Sequence, residues 1–316
     1  MLKYILGRFG AMLLTLFLVM TLSFLIIRLM PMSLFENPEV DPVIQKLLEA
    51  EMHLDKPMVV QYYYFVKGIV TEGDFGRSVK IRPGMEVFKV LASKIRPTVL
   101  LNVLSLVIAI PLGIIAGTVA ALRNNKLTDT IISFLVVIFI SVPSFVFASL
   151  LQYAFTFLWP LFPTLYDPAA PNLAATLHSL AMPIIALALN PIATIARYLR
   201  GELIETMSSE YLLLARTKGL TRAQATVRHA FRNSLVPIFN AIIPLITAIM
   251  GGSMVVEKIF AVPGIGGQLI ESILAGDHFL TVAGLIYYSA VSLATILIVD
   301  ISYGLIDPRI RVGGTK

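Results

Sequence analysis

The sequence predicts an all-α polytopic membrane protein of six transmembrane helices, with a long insertion after the first and a polar loop between the fourth and fifth. Three observations predict it. Of the 316 residues, 57% are hydrophobic and only 14% charged, whereas soluble domains carry about 25% charged residues. The apolar residues gather into runs close to the roughly 20 residues that cross a hydrocarbon core. The basic residues fall mainly on alternate connections. Mean hydropathy is correspondingly high, at +0.84.

The spans follow in order at 9–29, 98–122, 129–158, 178–199, 235–256 and 279–304. The first lacks a small-residue cleavage site and reads as a retained span. The third is too long for one straight crossing, and Pro143 should kink or tilt it. The fourth carries Pro183, Asn190 and Pro191, interruptions tolerated only where neighbours or a watery cavity satisfy the freed backbone. The whole of 1–316 reads as one transmembrane domain, with 31–97 as an extracytoplasmic insertion and 200–234 as a cytoplasmic loop.

Short-loop basic residues set the orientation. Lys3 and Arg8, then Arg123 and Lys126, then Arg197, Arg200, Arg216, Lys218, Arg222, Arg228 and Arg232, then Arg309, Arg311 and Lys316 all fall on one side. The connection 159–177 has no basic residue and 257–278 only Lys258. Both termini are therefore expected in the cytoplasm of a cell with a multi-pass plasma-membrane protein. The net charge of +6 is explained by this placement, without nucleic acid. Within the insertion, Ile44–Met52 and Val59–Val70 look amphipathic, and Tyr62, Tyr63, Tyr64 and Phe65 suit either an interfacial helix or a partner-docking one.

The polar stretch from Ser208 to Pro237 organises the second half. Ser208 or Ser209 is placed to cap a short helix over Glu210–Lys218, and Gly219 can take the left-handed conformation that ends it. Thr221 and Gln224 form a capping-box pattern opening a second helix through Arg232. A helix, a glycine corner and a helix on the basic face read as a docking element. Arg216 and Lys218 can meet acidic groups, Leu212 and Leu214 an apolar slot, and Ala215 and Gly219 share a face by spacing.

Enzyme readings find no support. G-x-x-x-x-G-K-[ST], H-E-x-x-H and G-x-S-x-G are absent, and the glycine-rich Gly264–Gly267 lacks the lysine. Cysteine is absent and the four histidines show no ligand spacing, so no metal or other cofactor is expected on this chain.

Taken together, several ordered stretches resemble the membrane subunit of an ATP-binding-cassette importer, most closely the dipeptide/oligopeptide/nickel permease family. They include Leu54-Asp55-Lys56-Pro57, Gly73-Asp74-Phe75-Gly76-Arg77-Ser78, Ser141-Val142-Pro143-Ser144-Phe145 and Ala215-Arg216-Thr217-Lys218-Gly219-Leu220. Arg228-His229-Ala230-Phe231-Arg232-Asn233, Glu257-Lys258-Ile259-Phe260 and Asp307-Pro308-Arg309-Ile310-Arg311 continue the set. The resemblance implies a type I importer fold in a bacterial cell membrane. It implies an oligopeptide substrate, with dipeptide or nickel as alternatives. It implies a second homologous permease subunit, two cytoplasmic ATPase subunits that bind ATP and magnesium, and an extracytoplasmic substrate-binding protein. It also implies that Glu210, Tyr211, Leu214, Ala215, Arg216, Thr217, Lys218, Gly219 and Leu220 form an ATPase-coupling loop. The general Glu-Ala-Ala pattern of such loops is reduced here to Ala215 and Gly219.

Asn102, Ser141, Ser144, Gln152, Asn190, Asn240, Thr247 and Ser253 are the polar candidates for lining a pathway, each of which could equally bond a neighbouring helix. Asp300, near the inner end of the last span, is expected to pair with Arg309 or Arg197. An ion-coupled secondary transporter is the competing reading. It asks for several buried midplane carboxylates and inverted repeats, and the sequence displays neither.

Overall fold

The computed structural model describes residues 2–29, 50, 53, 55–247, 249, 251 and 253–306. The expected helix 44–52 lies almost wholly outside the described residues, and the Asp307–Arg311 tail entirely so.

Helix α1 (Leu2–Leu29) is apolar on all sides. Helix α2 (Met58–Glu72) ends in Gly73 at φ +67°, the left-handed cap that glycine adopts without strain. It turns Tyr62 and Phe65 onto α1: the Thr21 and Tyr62 hydroxyls lie 2.6 Å apart, and Phe24 stacks on Phe65. Helix α3 (Val87–Leu122) starts well before the expected residue 98, so the insertion gives way to the span helix at Val87. Its first turns pack Val87, Val90 and Leu91 against Leu280 and Ala283. At 36 residues it is about 54 Å long and overshoots a roughly 30 Å hydrocarbon core.

The third segment is a broken span. Helices α4 (Leu127–Ser141) and α5 (Ser144–Gln152) meet at 103°, because Pro143 cannot donate into a continuous helix and its predecessor is pushed out of the helical region. Val142 accordingly sits at φ −91°, ψ 126°. Helix α5 runs on through a wider π turn, Tyr153–Leu158. Helix α6 (Leu173–Met207), by contrast, passes both prolines without a break. It is the most buried of the long helices, with Ala186, Ala193, Ile195, Leu199 and Leu203 all inside.

Close approach explains that burial. A Cβ on Gly113 would stand 2.8 Å from Ile195 Cβ, and one on Gly117 would stand 2.7 Å from the Ala196 carbonyl. Two glycines four apart let α3 and α6 touch backbone to side chain, the small-xxx-small device of membrane helix pairs.

After α6 come α7 (Glu210–Thr217) and α8 (Arg222–Ala225), the latter continuing through a π turn into α9 (Arg232–Thr247). The second loop helix therefore does not stop at Arg232; it is the foot of the fifth segment. That segment ends at Thr247 rather than 256, and Ser253 precedes a separate helix, α10 (Met254–Ile259). Helix α11 (Ile265–Ala275) and helix α12 (His278–Ile306) complete the chain. Among the described residues four helices are long and apolar enough to cross a membrane, five with the bent pair. The six expected segments are met in order, the fifth by a 16-residue helix with two prolines.

Candidate functional site

The corner between α6 and α9 is built on a buried core. Leu203 from α6, Leu212 and Ala215 from α7, Ala225 and Ala230 from the next helical run, and Ile238 from α9 form one cluster with Ala121 at the end of α3. Polar contacts lock it. The fully buried Ser234 hydroxyl lies 3.1 Å from the Glu202 carbonyl and 3.0 Å from the Thr206 hydroxyl. The Tyr211 side chain neighbours those of Asn233, Ser209 and Thr206. The α7 helix thus rides on α6 and α9 as one piece.

Local chemistry sets its ends. Gly219 lies at φ +94°, as the corner requires. Thr221 and Gln224 make the reciprocal capping box: the Thr221 amide donates to Gln224 Oε1 at 3.0 Å, and the Gln224 amide to Thr221 Oγ1 at 3.3 Å. The serine cap fails. Ser209 occupies the position before α7, but its hydroxyl donates back to the Thr206 carbonyl at 2.6 Å, and Ser208 closes α6.

Burial also redistributes the expected contact residues. Leu212 and Ala215 face inward and are not free to enter a partner's groove. Ala215 and Gly219 do not share a helical face, because α7 ends at Thr217. Exposed on the corner are Glu210, Tyr211, Leu213, Leu214, Arg216, Thr217, Lys218 and Gly219, with Leu220 half-buried. Leu213 and Leu214 are 61% and 55% exposed, so two adjacent leucines stand in the open between charged neighbours.

The pathway candidates scatter. Asn102 Nδ2 donates to the Thr98 carbonyl of its own helix at 2.8 Å. Gln152 Nε2 donates to the Thr164 carbonyl at 2.8 Å and the Ile259 carbonyl at 3.3 Å. The exposed Asn190 reaches the Phe139 carbonyl at 3.4 Å, across from α4. Ser141 is exposed and Ser144 half-buried at the α4–α5 bend, while Ser253 precedes α10 without a side-chain cap bond. The side chains of Asn240 and Thr247 lie outside the described residues.

Among the described residues Asp300 forms an ion pair that the sequence did not suggest. Its Oδ2 stands 3.2 Å from Arg8 Nη1 on α1; Arg309 is outside the described residues. Arg28, near the end of α1, lays its guanidinium over Phe24 and Phe279, 5.4 and 5.6 Å from the ring centres.

Three buried carboxylates were not singled out from the sequence. Glu257 accepts from Thr98 Oγ1 at 2.8 Å, the Gly266 amide at 2.8 Å and the Gly267 amide at 3.1 Å. Burial pushes this carboxyl above the ordinary range, against the pull of those donors. Asp277 gathers Ser78 Oγ at 2.5 Å and the amides of Val79, Lys80 and Ile81, each at 3.1 Å. It holds the insertion loop to the start of α12. Asp129, the third, binds Arg200 at the other end of the bundle. Among the described residues no group of three His, Cys, Asp or Glu could hold a metal ion.

Comparison with known proteins decides the family. Residues 109–312 match the family described as binding-protein-dependent transport system inner membrane component, and residues 1–86 match the corresponding N-terminal family. The chain belongs to this family. Its relatives include the dipeptide transport system permease proteins of Lactococcus lactis, 39% identical over 312 residues, and Bacillus subtilis, 36% identical over 313. These alignments cover 99% of this chain and 100% and 99% of the relatives. The oligopeptide transport system permease protein of Escherichia coli is 34% identical over 312 residues, covering 98% of this chain and all of the relative. The inner-membrane transport family accounts for the multi-pass helical bundle, and the N-terminal match stops at Glu86, the residue before α3.

Proposed function

We propose that this chain is the permease subunit of an ATP-driven peptide importer, and that α7 with the Gly219 corner docks on a separate ATPase. The observation that carries the reading is the α7 corner itself: a rigid helix end, fastened to α6 and α9, that leaves Leu213 and Leu214 exposed beside Arg216 and Lys218. An exposed apolar pair rimmed by charge marks an interaction surface. The basic residues of the short loops support a cytoplasmic position for this end and for both termini. The opposite end, with the 73–86 loop and α11, then faces an extracytoplasmic binding protein.

A second homologous permease subunit completes the pathway in this account. The exposed apolar faces of α1 and α4, with Ile296 and Ile298 of α12, are available to it and to lipid. ATP-driven closure of two ATPase subunits moves the paired corners together and opens the spans outward; hydrolysis reverses them. Peptide is the substrate class because relatives across the full chain are named for it. Dipeptide has the specific support over oligopeptide, since relatives named for dipeptides are 36–39% identical and those named for oligopeptides 33–34%.

Leu214→Asp tests the docking claim, because it charges an exposed site without entering the core. The expected result is normal membrane insertion with loss of ATPase co-purification and of peptide uptake. Uptake at the wild-type rate contradicts the claim. Competition of labelled uptake by dipeptides against tetra- and pentapeptides separates the substrate readings.

A further inference from the structure

The pair formed by Asp129 and Arg200 joins α6, on which the coupling corner rides, to the start of α4. Asp129 opens α4, directly after the 123–126 turn, and its side chain is only 5% exposed. Arg200 Nε donates to its Oδ1 at 2.6 Å and Nη2 to its Oδ2 at 2.8 Å. The Asn125 amide at 3.0 Å and Ser133 Oγ at 3.3 Å take up further acceptor sites. Arg200 Nη2 also reaches Asn124 Oδ1 at 3.3 Å. One guanidinium therefore grips both the carboxylate and the turn, whose Asn125 sits at φ +60°.

The placement of Arg200 gives this grip its meaning. It lies on α6, whose next two turns carry Glu202 and Thr206, the groups that meet Ser234 of α9. Helix α7 begins three residues after α6 ends. Apolar packing of Val136 against Ala193 and Ala196 already holds α4 to α6, and such contacts tolerate sliding. A bidentate pair is directional and fixes register. We propose that Asp129–Arg200 is a positioning latch, transmitting displacement of the α7 corner along α6 to the α3–α4 turn, and so to the bent α4–α5 span. The proposal rests on the coupling role given to α7.

The test uses the complete importer reconstituted in proteoliposomes, with peptide uptake and ATP hydrolysis measured on the same preparation. Arg200→Gln and Asp129→Asn are each expected to keep the ATPase subunits bound while raising ATP consumed per peptide about fivefold or more. Arg200→Lys, which keeps the charge but loses the fork, should fall between. An unchanged ratio overturns the latch. So does a parallel fall of uptake and hydrolysis, or loss of the ATPase subunits from either variant, since the pair would then be structural only. Leu214→Asp runs alongside: if it still retains the ATPase, the docking role of α7 fails, whatever the latch variants show.

Discussion

At the scale of single residues, buried carboxylates organise both ends of this protein. Glu257 and Asp277 are fully buried, yet each is surrounded by donors from distant chain segments. Removing the acceptor strands those donors, at about 1–3 kcal/mol for each buried group left unpaired. Glu257→Ala is therefore expected to destabilise the purified subunit by about 3 kcal/mol, and Glu257→Gln by clearly less, because an amide oxygen can still accept from the glycine amides. Thermal unfolding in detergent checks this, and equal losses would speak against the bonding described. Asp277→Ala should free the 78–81 loop and make it the first site of limited proteolysis. None of this was legible in the sequence. Ser78 and Thr98, which donate to Asp277 and Glu257, lie 199 and 159 residues from them, and no local pattern marks such pairs. Asp300 drew notice because it stood inside an apolar run; its partner, Arg8, is equally remote.

At the scale of elements, local chemistry was readable where it acts locally. The Thr221–Gln224 box, the Gly219 corner and the Pro143 break each depend on residues within four positions, and each appears where the sequence places it. The buried face of α7 was not readable. Leu212 and Ala215 turn inward because Ala225 and Ala230 pack onto them, a fact of tertiary contact. Gly113 and Gly117 stood in plain view four residues apart, and only the fold gives them meaning. Gly117→Leu should push α3 off α6, since even a Cβ meets the Ala196 carbonyl at 2.7 Å. Overpacking of this kind typically costs about 1–3 kcal/mol, seen as a lower unfolding temperature and reduced membrane yield. At Gly219, any L-residue is strained at φ +94°. Gly219→Val is accordingly expected to leave insertion intact and impair uptake, with Gly219→Pro more severe.

At the scale of the whole molecule, burial is uneven in a way that fits one subunit of a larger assembly. Helix α6 is sheathed by α3, α4, α5 and α9, whereas α1 exposes much of its apolar surface and α12 is buried chiefly in its first turns. Among the polar candidates for pathway lining, Asn102, Gln152 and Asn190 bond to carbonyls of this chain, as residues that fasten helices together do. The central claim is that the α7 corner is where energy enters from another chain. The most direct measurement is gentle purification through a tag on this subunit, followed by mass spectrometry and ATP turnover with peptide present. The account predicts recovery of two ATPase chains and a second permease, with hydrolysis lost on Leu214→Asp. Recovery of this chain alone, without ATPase activity across several mild detergents, contradicts it.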